Sequence, residues 1–323
     1  MSLFRNVVWF VKGLKEYTRS GYETASKNFK PEDMMVDISQ RSFMITGGNS
    51  GIGKSAALAI AKKGGTVHII CRNRQRGEAA VTEIKTASGN EKIHLHELDI
   101  SRPKDIYAFA ESFEQSGKPL HVLINNAGVL VSEKVRQLTA DGLEVTFATN
   151  TLGVHILTSA LIPVLLRNED PRVIIVTSGG MLVQKLNLKD LQFEKMQTFD
   201  GTMAYAQTKR QEVIMTEQYA KKWPSIHFSC THPGWADTPG VQLSIPDFYH
   251  KMKDRLRTSE QGADTIVWLA VASCVKELPS GLFFQDRKPV STHLPLAWTK
   301  STPEECEELL KILDDMSQSL PSA

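Results

Sequence analysis

The chain has 323 residues, enough to bury a large core, and its 41% hydrophobic and 23% charged residues are typical of a soluble globular protein. With 38 basic against 36 acidic residues, the formal net charge is only +2, which speaks against a nucleic-acid partner. The four cysteines never form Cys-x-x-Cys, so the sequence predicts no metal site and no disulfide framework.

Residues 1–38 are predicted to form a separate amphipathic extension, because apolar side chains recur there at helical spacing. The longest apolar run, residues 7–11, is far shorter than the roughly 18 residues that a membrane-spanning helix needs. Three interpretations stay open: a helix packed on the protein body, a helix lying in a membrane interface, or a targeting presequence. The expected location is the cytoplasmic side, with membrane association and mitochondrial targeting as open alternatives.

From residue 39 to 323 short apolar runs alternate with helical patterns. Strands are predicted at 42–48, 66–72, 92–100, 120–128, 172–180 and 226–235. Helices are predicted at 53–65, 73–90, 103–118, 143–166, around Tyr205 and at 259–273. Because apolar strands alternate with helices, we expect a single-domain α/β fold of Rossmann type, a doubly wound parallel sheet with helices on both faces. Residues 235–257 are predicted to be a substrate lid.

The stretch "TGGNSGIGK" (46–54) lies between the first strand and the first helix of this pattern. Gly47 would let the chain turn, Gly51 would let a pyrophosphate approach the backbone, and Gly53 would let the helix pack closely. The helix N-terminus would then face the anion. The stretch therefore predicts a dinucleotide site, and the alternative is a tight turn whose small residues serve packing alone. The other loop residues assigned to this site are Asn49, Ser50 and Ile52.

The choice of cofactor depends on the end of the second strand. An NAD site usually has Asp or Glu there, whereas this strand ends with Arg72 and the next acidic residue is Glu78. A guanidinium group can hold a 2′-phosphate through charge-assisted hydrogen bonds, so Arg72 predicts NADP(H), with Arg74 or Arg76 as helpers. The alternative is a solvated arginine at a helix start.

Four motifs stand in order along the chain, and together they are more specific than any one of them. They are "TGGNSGIG" (46–53), "NNAG" (125–128), Ser178 and "YAQTK" (205–209), with Asn150 between the second and third. With this set, the chain resembles the short-chain dehydrogenase/reductase family over roughly residues 40–290. The "CRN" after the second strand and the "SG-FF-D" ending (280–286) resemble its retinol-dehydrogenase-like branch.

The resemblance implies further cofactor contacts at the carboxyl ends of the strands. Asp99 would contact the adenine, and Asn125 and Gly128 would shape the end of the fourth strand against the cofactor. Thr238, in "HPGWADT", would contact the nicotinamide carboxamide; the remaining assigned residues are Pro233 and Gly234 of the same motif, together with Tyr205 and Lys209.

The candidate catalytic residues are Asn150, Ser178, Tyr205 and Lys209. A free tyrosine has a pKa of about 10, and Lys209, one helical turn further along, would lower it toward the working pH. Ser178 would donate a hydrogen bond to the substrate oxygen. The resemblance implies that Asn150 holds a water linking Lys209 to solvent, and that Lys209 also contacts the nicotinamide ribose.

These residues predict an NADP(H)-dependent oxidoreductase that transfers a hydride between nicotinamide and a carbonyl or alcohol. The apolar side chains of the predicted lid suggest a retinoid-, steroid- or lipid-like substrate: Trp235, Val241, Leu243, Ile245, Phe248 and Tyr249. The competing hypothesis is a catalytically silent NADP(H)-binding regulatory or scaffold protein. A homodimer and a peripheral membrane contact through residues 1–38 are left open.

Overall fold

The computed structural model describes residues 3–320; residues 1–2 and 321–323, the outer ends of the two predicted regions, lie outside the described residues. Eight strands form one sheet in the order β3-β2-β1-β4-β5-β6-β7-β8. All neighbouring pairs are parallel except β7 and β8. The strands are β1 (Ser42–Thr46), β2 (Thr66–Cys71), β3 (Ile93–Glu97), β4 (Val122–Asn125), β5 (Arg172–Val176), β6 (His227–Thr231), β7 (Leu282–Gln285) and β8 (Lys288–Pro289).

Helices cover both faces of the sheet and extend the chain beyond it. Before the sheet come α1 (Leu3–Glu16) and α2 (Arg19–Ser26). Those within the alternating pattern are α3 (Gly51–Lys62), α4 (Arg74–Ser88), α5 (Pro103–Gln115), α6 (Val145–Phe147), α7 (Gly153–Leu165), α8 (Gly201–Lys222) and α11 (Ser259–Val271). The additions are α9 (Pro239–Ser244) and α10 (Pro246–Met252) before α11, and α12 (Pro303–Ser319) at the end.

The strand order explains where a ligand can bind. The chain builds β1, β2 and β3 outward on one side of β1 and continues with β4 on the other side, so the order reverses between β1 and β4. In open parallel sheets, ligands bind beyond the carboxyl ends of the strands at such a reversal. The predicted single-domain Rossmann-like fold is confirmed; β7 and β8 extend the sheet beyond the predicted strands.

The predicted helix 143–166 is divided in the structure, because a π-helical turn, Ala148–Leu152, joins α6 to α7. Among the described residues one segment, Val145–Leu165, is long and apolar enough to cross a membrane, but 83% of its apolar window is buried inside the protein. Its apolar side chains therefore belong to the core, where this segment contacts the sheet and the neighbouring helices α5 and α8.

The N-terminal extension packs against the predicted lid. The Trp235 ring meets Trp9 and Phe10 of α1, with ring centres 5.7 and 5.9 Å apart. Gly13 permits this approach, because a Cβ atom at that position would overlap the Trp235 ring. Of the three interpretations of residues 1–38, the structure describes a packed helix for α1. Membrane contact, targeting and a homodimer stay predictions.

A buried guanidinium group fastens the extension to the body. The Arg257 side chain is 1% exposed and binds both carboxylate oxygens of Asp286, at 2.7 and 2.9 Å. The same group donates to the backbone carbonyl oxygens of Glu16, Thr18 and Pro233. The N-terminal extension, the end of the lid and the turn between β7 and β8 therefore meet at Arg257.

We expect Asp286→Ala to destabilise the protein by about 3–5 kcal/mol, because it leaves the buried Arg257 charge without its carboxylate. Urea unfolding followed by far-UV circular dichroism measures the loss. The matched control is Glu78→Ala, which removes the partner of Arg74 from an exposed ion pair and should cost less than about 1 kcal/mol. Equal losses in the two variants would contradict the central role of Arg257.

Candidate active site

A cavity of 340 Å³ opens beyond the carboxyl ends of β1, β2 and β4. The glycine loop forms one wall and the start of the predicted lid forms another. The predicted cofactor residues that line this cavity are Gly47, Asn49, Ser50, Gly51, Ile52, Gly53, Arg72, Asp99, Gly128 and Thr238.

The glycine loop has the geometry that its sequence predicts. Gly47 and Gly51 have φ angles of +67° and +51°, a left-handed conformation that side chains disfavour. Gly53 lies in the first turn of α3, where a Cβ atom would overlap the Gly47 carbonyl oxygen and lie 2.5 Å from Asn126 Nδ2. The loop can therefore curl tightly around the start of α3 and expose backbone amides to a phosphate.

Arginine side chains stand at one edge of this cavity. Arg72 and Arg76 both line it and are exposed, and Asn73 between them caps α4 by accepting a hydrogen bond from the Arg76 backbone amide at 2.9 Å. Arg74 instead forms an exposed ion pair with Glu78. Of the two predicted helpers, Arg76 therefore lies at the cavity and Arg74 is engaged outside it.

Five predicted cofactor residues are not part of this lining: Asn125, Pro233 and Gly234, and also Tyr205 and Lys209, which belong to the catalytic group described below. The Asn125 side chain is buried and donates to Thr158 Oγ1 at 3.0 Å, and it does not line the cavity. Its neighbour Asn126 does, because adjacent residues at the end of a strand point to opposite faces. Pro233 and Gly234 lie against the Arg257 guanidinium group, away from the cavity lining.

Ser178, Tyr205 and Lys209 come together where β5 ends and α8 begins. The Ser178 hydroxyl shares a hydrogen bond with the Tyr205 phenol and accepts another from the Gly180 backbone amide at 3.1 Å. Lys209 Nζ lies 5.4 Å from the centre of the Tyr205 ring. A substrate oxygen that reaches the phenol would therefore meet two hydroxyl groups at once.

The pKa of the Tyr205 phenol lies above its usual value, and burial is the largest cause. The positive charge of Lys209 and the hydrogen bond with Ser178 act in the opposite direction and lower it. Burial is the largest influence on the pKa of Lys209 and acts to lower it, but the charge of Glu212, the Tyr205 phenol and the hydrogen bond with Glu212 together outweigh burial, and the pKa is raised. Lys209 therefore stays a cation beside the phenol.

Glu212 was missed by sequence reasoning. Its carboxylate Oε1 lies 2.7 Å from Lys209 Nζ, and the two side chains are 1% and 3% exposed. The i,i+3 spacing alone indicates only a common helical ion pair, so the sequence offers no signal that this pair is buried.

Asn150 lies in the π-helical turn and uses its whole side-chain amide to fix the surroundings. Its Oδ1 accepts from the Val129 backbone amide at 2.8 Å. Its Nδ2 donates to the Val129 carbonyl oxygen at 2.9 Å and to Thr208 Oγ1 at 3.1 Å. Asn150 thus joins the loop after β4 to α8, next to Lys209, while the water-binding role stays a prediction.

A second cavity, of 520 Å³, is almost entirely apolar. Gly180 in its lining lies close to the Ser178 hydroxyl, since a Cβ atom there would be 3.5 Å from Ser178 Oγ. One wall comes from α1, and the other from the turn after Ser178 and the start of α8. The predicted lid, 235–257, contributes nothing to this lining and packs on α1 instead. The lining residues are Asn6, Val7, Trp9, Phe10, Val11, Gly180, Val183, Gln184, Asp200, Thr202, Met203 and Ala206.

Comparison with known proteins relates this site to one family. The short chain dehydrogenase family matches residues 41–189. The human protein "Dehydrogenase/reductase SDR family member 12" is 60% identical over 319 residues, which cover 99% of both chains. Human retinol dehydrogenase 12 is 34% identical over 257 residues, covering 78% of this chain and 80% of its own.

A solved structure supports the fold. A putative short chain dehydrogenase from Escherichia coli CFT073, complexed with NADPH, superimposes with a TM-score of 0.64 at 20% identity. The match covers 80% of this chain and all of that one.

We expect Gly53→Ala to weaken nucleotide binding at least about tenfold, because the new Cβ atom would push α3 away from the glycine loop. Gly240→Ala is the matched control: it lines the same cavity, and its Cβ atom would meet only Thr238 Oγ1, at 3.9 Å. Titration of NADPH fluorescence measures both affinities, and equal affinities for the two variants would contradict the role of Gly53.

Proposed function

The chain belongs to the short-chain dehydrogenase/reductase family, whose members are oxidoreductases of CH–OH and C=O groups, and we propose that it is an NADP(H)-dependent enzyme. Its substrate would be an apolar carbonyl compound or the corresponding alcohol. The observation that carries the proposal is the group of Ser178, Tyr205 and Lys209. Lys209 Nζ lies close to Gly128 of the first cavity, and Ser178 Oγ lies close to Gly180 of the second.

The first cavity fits a dinucleotide. The close contact of Gly53 with Gly47 and Asn126 leaves room for a phosphate at the N-terminus of α3, and Arg72 and Arg76 stand at the rim. Asp99 also lines this cavity, and one of its carboxylate oxygens accepts hydrogen bonds from the backbone amide and the hydroxyl of Ser101. A nicotinamide cofactor held by these residues would supply the hydride when bound.

The exposed guanidinium of Arg72 favours NADP(H) over NAD(H). The strand that ends at Cys71 brings Arg72 to the cavity edge, where NAD sites carry an acidic residue. A 2′-phosphate could accept charge-assisted hydrogen bonds from Arg72 and Arg76, whereas a ribose hydroxyl would gain little from them.

The chain's own residues perform the proton transfer. In carbonyl reduction, the Tyr205 phenol would give its proton to the substrate oxygen as the carbonyl carbon becomes tetrahedral. Ser178 would donate a hydrogen bond to the same oxygen and stabilise its developing negative charge. The Lys209 cation would stabilise the phenolate left behind, and in alcohol oxidation these steps run in reverse.

The second cavity supports an apolar substrate. Its volume of 520 Å³ falls within the range of small-molecule sites, and its lining is dominated by aliphatic and aromatic side chains. Gly180, which follows Ser178 closely, and Ala206, which follows Tyr205, are part of that lining. A bound apolar group would thus leave its carbonyl at the two hydroxyl groups.

We expect Arg72→Ala to weaken NADPH binding about 10- to 100-fold, since charge-assisted hydrogen bonds contribute about 1.5–3 kcal/mol, and to change NADH binding less than about threefold. Arg74→Ala is the control, because Arg74 is paired with Glu78 and should leave the preference intact. Parallel titrations with both cofactors measure the ratio. Equal losses for NADPH and NADH would overturn the preference.

We expect Tyr205→Phe to lower kcat about 10²- to 10⁴-fold with NADPH affinity nearly unchanged, because the ring stays and only the proton donor is lost. NADPH consumption is followed across retinoid, steroid and lipid carbonyls, with small polar carbonyls and sugars in parallel. Tyr107→Phe is the control. The Tyr107 hydroxyl donates a hydrogen bond to the Ser317 carbonyl oxygen, and neither residue lines either cavity. Turnover of the polar compounds alone would refute the apolar substrate, and tight NADPH binding with no turnover would favour a silent binding protein.

A further inference from the structure

A buried carboxylate stands directly behind the candidate catalytic lysine. Glu212 Oε1 lies 2.7 Å from Lys209 Nζ, and both side chains are almost completely excluded from solvent. The lysine also donates to the Val176 carbonyl oxygen at 3.0 Å. Carboxylates are almost never buried to this degree unless they are paired, so the burial of Glu212 depends on its ion pair with Lys209.

The helix geometry lines up three functional groups. Tyr205, Lys209 and Glu212 are spaced four and three residues apart on α8, so they lie on one helix face. The row begins at the phenol beside the apolar cavity and ends at the carboxylate in the core. A charge on Glu212 therefore acts on Tyr205 through Lys209.

Lys209 retains a donor for a ligand. An ammonium group has three N–H donors, and two of them point to Val176 and Glu212. Gly128, which lines the nucleotide cavity, approaches the same nitrogen; a Cβ atom there would lie 3.3 Å from it. Glu212 thus holds the ammonium from the core side and leaves its third donor for the cavity side.

The groups that face the Glu212 carboxylate come from α8, β5 and β6. On its own helix they are Lys209 and Tyr205, and on β6 the group is the buried Cys230 thiol, whose pKa is raised mainly by burial with a contribution from Glu212. Thr177, which follows β5, donates its hydroxyl proton to the Lys209 carbonyl oxygen at 2.8 Å. The second carboxylate oxygen, Oε2, has no hydrogen-bond partner within residues 3–320.

In this environment Glu212 and Lys209 have opposite effects on the pKa of the Tyr205 phenol: Glu212 raises it and Lys209 lowers it. Burial raises the pKa of Glu212 to about 7, with the Lys209 charge acting against the increase. Glu212 in turn raises the pKa of Lys209 and of Tyr205. The carboxylate therefore keeps the lysine charged but partly cancels its field at the phenol.

We propose that Glu212 is a positioning residue of the catalytic group: it holds the Lys209 ammonium group against the cofactor cavity, and its negative charge sets the pH range in which Tyr205 exchanges its proton. The proposal rests on the proposed oxidoreductase function. Glu212 itself contacts neither the substrate cavity nor the nucleotide cavity.

The test compares Glu212→Gln with wild type in the pH dependence of kcat/KM for carbonyl reduction. Reduction needs a protonated phenol, so activity falls as pH rises through the pKa of Tyr205. Removal of the neighbouring negative charge lowers that pKa, and the alkaline limb should move to lower pH by about one unit. Glu212→Asp, which keeps the charge, should move the limb back toward the wild-type position.

The matched control is Glu217→Gln, the same substitution one and a half turns further along α8, at a residue that is only partly buried. It should leave the profile at the wild-type position. A structural role alone would change the melting temperature or kcat without moving the alkaline limb. A Glu212→Gln profile that superimposes on those of wild type and Glu217→Gln overturns the proposal while the proposed function stands.

A second readout, NADPH affinity as a function of pH, does not need turnover. Without Glu212 the buried lysine loses its proton at lower pH, so the alkaline weakening of NADPH binding should begin earlier in Glu212→Gln than in wild type. If wild type shows no turnover, the proposed function fails and this titration still decides: superimposed curves overturn the positioning role. Should Glu212→Gln not fold, Glu212→Asn removes the charge with a smaller amide and is read in the same two assays.

Discussion

The hydrogen bonds of the buried Arg257 guanidinium group are the interaction on which the position of α1, one wall of the apolar cavity, depends. A charge removed from water is tolerated only when it is paired and fully hydrogen-bonded, and Arg257 meets this condition by drawing in groups from distant parts of the chain. Backbone hydrogen bonds between Arg257 and both Trp235 and Asp237 join the two ends of the lid. Asp286, at φ +50°, adopts a strained backbone conformation in the turn that supplies the carboxylate.

The hydrogen bonds of Arg257 determine the position of α1. The carbonyl oxygens of Glu16 and Thr18 accept hydrogen bonds from Arg257, which fixes the C-terminal end of α1 and the start of α2. Tyr17 between them is buried against His232 and Trp235. The helix is thereby directed across the turn after Ser178, and its residues become a wall of the apolar cavity. The aromatic side chains of the lid pack against α1, which explains why the lid does not line the apolar cavity.

Local sequence patterns were sufficient to predict most of the fold, and they also predict that a nucleotide binds at the glycine loop. The strand, glycine loop and helix from β1 to α3 are adjacent in sequence, and their chemistry depends on backbone conformation that glycine spacing reveals. Arg72 could also be singled out from the sequence, because its position at the end of a predicted strand is enough to place it at the cavity. Asn126 lines the cavity and Asn125 does not, because the last residues of a short strand alternate between faces and only the register decides which one turns outward. The cofactor role of Asn125 stays a prediction.

The remaining features depend on contacts between distant segments, and no local pattern reports those. From the sequence, Glu212 and Lys209 would be interpreted as an ion pair on the surface of a helix. In the fold, α8 packs against β5 and β6, and both side chains are buried. The apolar face of α1 predicts a partner without identifying it, and Arg257 reads as an ordinary basic residue before a helix. Local patterns could therefore group the glycine loop with Arg72 at one cavity, whereas tertiary packing determines the walls of the apolar cavity.

The two halves of the site consequently have different origins within the chain. The match to the short chain dehydrogenase family, residues 41–189, contains the glycine loop, Arg72 and Ser178. The apolar cavity takes most of its lining from outside that range, from α1 and the start of α8. The N-terminal helix α1 is thus part of the wall of this cavity, although it lies outside the range that matches the family. Tyr205 and Lys209 also lie outside the matched range, on α8. The first turns of the same helix line the apolar cavity, so α8 joins the candidate catalytic group to the cavity wall.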